Sequence, residues 1–306
     1  VSVPPCSFSR SLLAGLGCLA CLFLALAAGA GTPVWQEEFS RDGAPDPARW
    51  APEEGFVRNG EAQYYTVGRP ENARVEKGLL IIEARSENFP NPHYTAEVAA
   101  SGATVLDQLQ YARNANASRR NATHTAASLT TKGRFEFLYG RVEIRARVPR
   151  GRGLWPALWM LRGDIDQVPW PLSGEIDLME YVGFLPGVLH ANVHCSSRYA
   201  PGVVPERDGY LARRQVPDLE EGFHVYSLEW EPERLRLSVD DQLLLEYPNL
   251  HQGPGQWPFD RPMYLILNLA VGGSWGGEQG VDEHCFPARL EVDYVRVFAR
   301  ADAGPR

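Results

Sequence analysis

Three carboxylates, Glu175, Asp177 and Glu180, lie within the short segment Gly174-Glu-Ile-Asp-Leu-Met-Glu180. Two carboxyl groups facing each other across a cleft are what glycosidic hydrolysis requires. One protonates the leaving oxygen while the other acts at the anomeric carbon. Several acids on a solvated strand face are also common, so the acids alone leave both interpretations open. The apolar neighbours Ile176, Leu178, Met179, Tyr181 and Val182, with Trp155 and Trp159 just upstream, favour catalysis.

Side chains alternate along a strand, so Glu175 and Asp177 share one face while Ile176 and Leu178 point behind it. Glu180 has the wrong parity and would face the core, where an unpaired carboxylate is costly. One extra residue near Met179 resets the alternation, and such bulges are frequent beside active sites. A bulge between Asp177 and Glu180 is therefore expected. It would let the two glutamates approach to about 5–5.5 Å, the separation found in retaining glycosidases.

The elements around this segment are strands. Arg141–Val148 alternates charged and apolar residues, which predicts one wet and one packed face. Gly78–Glu83, Arg134–Tyr139, Phe223–Trp230, Arg234–Val239, Leu243–Tyr247, Pro262–Val271 and Arg289–Phe298 are further expected strands. Asp240-Asp241 marks a hairpin turn. With 29 glycines and 24 prolines as punctuation and no sustained helical period, the chain is expected to be an all-β sandwich. Residues 101–127, rich in Ala, Asn and Arg, are expected to be a mobile surface insertion.

Arg10, the apolar run Leu12–Ala28 and the small residues Ala28-Gly29-Ala30 form the pattern of a secretory signal over residues 1–30. A membrane anchor is the rival interpretation, since Ser11–Ala30 approaches a bilayer-spanning length. Residues 31–306 then form a single domain, with no other segment able to cross a membrane. The net charge of −8 and the lack of a basic stripe argue against nucleic acid and suit a neutral polymer. Outside the leader the cysteines are Cys195 and Cys285, and a secreted location invites a bridge between them. Asn116 and Asn121 head glycosylation sequons. Extracellular localisation is the joint expectation.

Trp155 and Trp159 are four apart on an expected strand, so they share a face opposite Pro156, Leu158 and Met160. Sugar rings pack their C–H faces on indole, although buried tryptophans are equally common as core. The neighbouring acids favour the cleft. Trp275, in a glycine-rich loop, is also placed at a sugar subsite.

The motif Glu175-Ile-Asp-Leu-Met-Glu180 resembles glycoside hydrolase family 16, in its laminarinase (endo-β-1,3-glucanase) branch. Gly153-Leu-Trp-Pro-Ala-Leu-Trp-Met160, Asn268–Gly277, Asp293-Tyr-Val-Arg-Val297, Trp35–Phe39, Asn59–Tyr65 and Trp230 extend the resemblance from about Val34 to Arg300. It implies a jelly-roll sandwich of two curved antiparallel sheets with a substrate groove on the concave face. It makes Glu175 the nucleophile, Glu180 the acid/base and Asp177 the nucleophile's assistant. It also implies Asn59 hydrogen-bonding a sugar hydroxyl, His194 near the acid/base, and Asp293 holding a structural calcium. Catalysis would need no cofactor, and the partner would be a β-glucan polysaccharide bound by a monomer. The alternatives are a non-catalytic β-1,3-glucan recognition protein on the same fold and a glucan transglycosylase.

Overall fold

Strands arise wherever apolar residues recur at every second position. The computed structural model describes residue 1 and residues 31–96 and 118–300. Along the described residues run β1 (Pro33–Glu37), β2 (Ala51–Pro52), β3 (Gln63–Tyr65), β4 (Ala73–Glu76), β5 (Leu79–Pro90) and β6 (Asn121–Ala126). They are followed by β7 (Ser128–Thr130), β8 (Gly140–Arg147), β9 (Leu154–Arg162), β10 (Glu175–Tyr181), β11 (Val188–His194) and β12 (Leu211–Gln215). The last are β13 (His224–Glu231), β14 (Arg234–Val239), β15 (Gln242–Pro248), β16 (Met263–Val271) and β17 (Ala288–Phe298). Among the described residues no helix is long and apolar enough to cross a membrane.

The strands form two sheets. One runs β15-β14-β13-β8-β17-β5-β6-β3, with β1 on β17 and β4 on β5. The other runs β12-β11-β10-β9-β16-β7-β2. Leu158, Met160, Ile176, Leu265 and Leu267 from the second sheet share one buried core with Ile144, Leu228, Trp230 and Val295 from the first. Each fully buried aliphatic side chain contributes about 1.5–3 kcal/mol. The result is the jelly-roll sandwich expected of the chain. All pairings are antiparallel among the described strands except β3 with β6, which run parallel.

The charged and apolar alternation of Arg141–Val148 becomes β8, whose residues alternate between buried and half-buried. At the β14–β15 turn, Asp240 and Asp241 both take left-handed φ (48° and 60°), the geometry a tight hairpin demands. Arg134–Tyr139, expected as a strand, is instead irregular, with only Phe137 bridging Met263. Its aromatics recur at period two because they plug the sandwich edge: Phe135 stacks on Trp35, while Phe137 and Tyr139 abut Trp230. Residues 121–127 correct the expected insertion at its C-terminal end. Asn121–Ala126 form β6, paired with β5 and β3, with Thr125, Ala126 and Ala127 buried. Residues 101–117 of the expected insertion, with Asn116, lie outside the described residues, as does the signal-like segment after residue 1. Asn121 itself is exposed and donates its side-chain amide to Asn88 Oδ1 at 2.8 Å.

The expected disulfide is absent, because Cys195 and Cys285 are both free. Cys195 follows β11 at the end where His194 pairs with Glu175. Cys285 packs on Gly151, whose carbonyl meets Gly183 beyond the far end of β10. At about 3.3 Å per residue, the length of β10 holds them roughly 20 Å or more apart. A bridge requires Cα atoms within about 7 Å.

Candidate active site

Three adjacent strands of the second sheet supply the site. On β10, Glu175, Asp177 and Glu180 pair with His194, Asn192 and His190 of β11. Opposite them on β9 stand Leu161, Trp159 and Ala157. Three residues of β10 thus span two of either neighbour between Asp177 and Glu180, and the register shifts there on both sides. The β9 pairing passes from Asp177 to Met179, so Leu178 is the extra residue. Leu178 and Met179 are both buried in the core, and Glu180 returns to the face of Glu175. This is the expected bulge, and it resolves the parity conflict.

That face floors a cleft of about 600 Å³. Glu175, Glu180, Trp155, Trp159, Asn59, His194 and Trp275 all line it. Trp155 donates its indole N–H to Glu180 Oε1 at 3.0 Å, and Asn192 donates to Glu180 Oε2 at 2.6 Å. Both oxygens of the expected acid/base are therefore held. Trp275 meets Trp155 edge-on at 5.4 Å and His190 at 4.9 Å. Close approach of its loop requires glycine: a Cβ on Gly276 would lie 2.8 Å from Trp155 Cβ. The Asn59 carbonyl accepts from Ser274 N at 2.8 Å, tying that loop to the Asn59 turn. The Asn59 amide points to Glu61 Oε1 at 3.3 Å.

Trp159 differs from the expected open sugar platform. It is 7% exposed, donates to Asn268 Oδ1 at 2.7 Å, and carries the Arg58 guanidinium 4.9 Å above its ring. It belongs to the floor, with Arg58 itself ion-paired to Glu53. His194 lines the cleft and acts electrostatically on Glu180 as expected, but its nearest acids are the other two. Its Nε2 lies 3.1 Å from Asp177 Oδ2 and 3.7 Å from Glu175 Oε1, at the nucleophile end of the site.

Burial controls the protonation of the trio. It pushes Glu175 up to about 8, reinforced by the neighbouring charge of Asp177. Asp177 is raised well above the usual carboxylate range by burial and then by Glu180. Glu180 is raised by burial, against the opposing pull of His194 and its two hydrogen-bond donors. Glu175 and Asp177 offer carboxyl oxygens within 4.8 Å of each other, and each shifts the other's protonation. Burial lowers His194 and takes His190 down to about 4, leaving both rings neutral.

Glu175, Asp177 and His194 offer ligand atoms within 4.8 Å of one another, the one such grouping among the described residues. Those atoms belong to the carboxylate cluster described above. Asp293 lies at another register shift, between Val292 and Tyr294 on β17, and is ion-paired with Arg145. A guanidinium against its carboxylate does not fit a calcium ligand. Spacing alone did not reveal Asn192, His190, Trp170, Tyr199 or Arg58. The cross-strand register exposes the first two, since they lie opposite the acids on β11.

The chain matches the family model for glycosyl hydrolases family 16 over residues 86–296. A β-glucanase of Rhodothermus marinus is 44% identical over 274 residues, covering 87% of this chain and 84% of the relative. A glucan endo-1,3-β-glucosidase of Cryptopygus antarcticus is 32% identical over 290 residues, covering 90% of this chain and 94% of the relative. The X-ray structure of the laminarinase from Rhodothermus marinus aligns with a TM-score of 0.70 at 41% identity, covering 88% of this chain and 97% of that one. Glucanases of this family need no cofactor for catalysis. With matches that span the carboxylate strand and both of its neighbours, the chain belongs to glycosyl hydrolase family 16.

Proposed function

We propose that the protein is a secreted endo-β-1,3-glucanase, hydrolysing internal bonds of laminarin-like β-glucans as a monomer with retention of configuration. The observation that carries this is the Leu178 bulge, which sets Glu175 and Glu180 on one cleft face with distinct partners. The signal-like residues 1–30 support secretion.

In the first step Glu180 gives its proton to the glycosidic oxygen while Glu175 attacks the anomeric carbon. The old C–O bond breaks as the glycosyl ester forms. Glu180, now ionised, takes a proton from water. The water oxygen attacks the anomeric carbon and the ester bond breaks, restoring the Glu175 carboxylate. Glu175 must be ionised to attack, yet burial holds its proton up to about pH 8. Asp177 resolves this. A proton passed from Glu175 to Asp177 leaves Glu175 charged and Asp177 neutral, with no change in the net charge of the buried pair.

Trp155 and Trp275 supply an aromatic wall at the Glu180 end, and Trp170 and Tyr199 another at the Glu175 end. Aromatic surface on both sides of the carboxylates suits a chain lying through the cleft. The retained glutamates, each with its partners in place, favour hydrolysis over glucan recognition alone. Chromatography of laminarin products over time tests the proposal. Early release of mixed oligosaccharides supports it. Binding of laminarin without sugar release would leave a recognition protein instead.

A further inference from the structure

Immediately after β11 the chain folds into a short 3-10 helix, Ser196–Tyr199. This turn brings the Tyr199 hydroxyl to 2.5 Å from His194 Nδ1, with the two rings stacked at 6.1 Å and Trp170 against both. The other nitrogen of His194 faces the Glu175–Asp177 pair, 3.1 Å from Asp177 Oδ2. That oxygen is buried and accepts no hydrogen bond in this structure, and His194 Nε2 is the polar atom set against it. We propose that Tyr199 is a positioning residue acting through His194: its hydroxyl donates to Nδ1 and thereby fixes the tautomer whose Nε2–H faces Asp177.

The alternative tautomer is poorer on both sides. A proton on Nδ1 would make Tyr199 the acceptor and turn its own O–H to solvent. It would also set the Nε2 lone pair against a carboxylate oxygen at 3.1 Å. The preferred tautomer lets Tyr199 donate to Nδ1 and turns an N–H, not a lone pair, toward the unpartnered Asp177 oxygen. The groups facing His194 are Glu175, Asp177 and Glu180 from β10, with Arg198 and Tyr199 from the turn. Burial and the Arg198 charge keep the ring neutral, and the phenol, pushed up by its own burial, stays a donor. His194 thus keeps its proton throughout the cycle. Its N–H supports Asp177 when that residue is charged and remains in place when Asp177 takes the proton of Glu175. Tyr199 is half exposed at the cleft lip.

The test is the nitrogen-15 NMR spectrum of the imidazole of His194, assigned by its disappearance in His194→Gln. The wild-type protein should show Nε2 protonated and Nδ1 unprotonated. Tyr199→Phe keeps the stacked ring and removes only the hydroxyl, so it should shift His194 toward a mixture of tautomers. Its kcat on laminarin should fall roughly threefold to tenfold, the worth of one neutral hydrogen bond, with KM little changed. A wild-type ring protonated on Nδ1, or a tautomer unaltered by Tyr199→Phe, would overturn the proposal. The kinetic arm rests on the glucanase reading, whereas the spectrum needs no substrate. The predicted spectra with no sugar release by either protein would support the positioning role and refute the glucanase.

Discussion

Asn192 and Glu180 are joined by a side-chain hydrogen bond of 2.6 Å, Asn192 Nδ2 donating to Glu180 Oε2. Asn192 stands opposite Asp177 on β11, so its amide reaches along the sheet to the next acid. A donor to a carboxylate favours the charged form and opposes the rise that burial imposes on Glu180. Asn192→Ala should therefore move the alkaline limb of the kcat/KM profile to higher pH. The step needing ionised Glu180 should also slow, by about tenfold or more. An unmoved limb would show that the bond does not tune the acid/base.

Trp155→Phe isolates the other donor. A smaller aromatic ring remains toward Trp275, while the indole N–H on Glu180 Oε1 is lost. A hydrogen bond to a charged group contributes about 1.5–3 kcal/mol, so kcat should fall roughly tenfold to a hundredfold, with a smaller change in KM. A change confined to KM would make Trp155 a sugar platform only.

The raised value of Glu175 carries a stability consequence. Between about 4.5 and 8 the folded protein keeps a proton that the unfolded chain has released. Stability is thus greatest below that window, falls as pH rises through it, and levels off above it. Asp177 and Glu180, also raised, act in the same sense. Glu175→Gln, neutral in both states, should show a shallower fall in melting temperature from pH 5 to pH 8. A slope equal to that of the wild type would place the buried proton elsewhere.

The bulge was legible because a conflict betrayed it: Glu180 could not share a regular strand with Glu175 and avoid the core. Most of the sandwich was legible for a related reason, since period-two alternation directly records which face is buried, as in β8. Arg134–Tyr139 misled because aromatics at every second position also arise when rings plug an edge, as Phe135 does against Trp35. Asn192 and Tyr199 were hidden because their importance depends on pairing register and on a turn, neither of which is local in sequence. The burial of Trp159 was equally hidden, since its cover, Arg58, lies a hundred positions upstream.

Cys195 and Cys285 should both react as thiols in the unfolded protein without prior reduction. Reductant should leave the melting temperature unchanged, because no bridge restrains the unfolded chain. A drop of several degrees on adding dithiothreitol would show that a disulfide forms.

The most direct test of the two glutamate roles is chemical rescue by azide on an aryl β-glucoside of a β-1,3-linked oligosaccharide. With Glu175→Ala, azide should take the place of the missing nucleophile and yield the α-glycosyl azide by a single inversion. With Glu180→Ala, azide should intercept the ester on Glu175 and yield the β-glycosyl azide. Exchange of these two products, or rescue of neither variant, would contradict the assignment of Glu175 as nucleophile and Glu180 as acid/base.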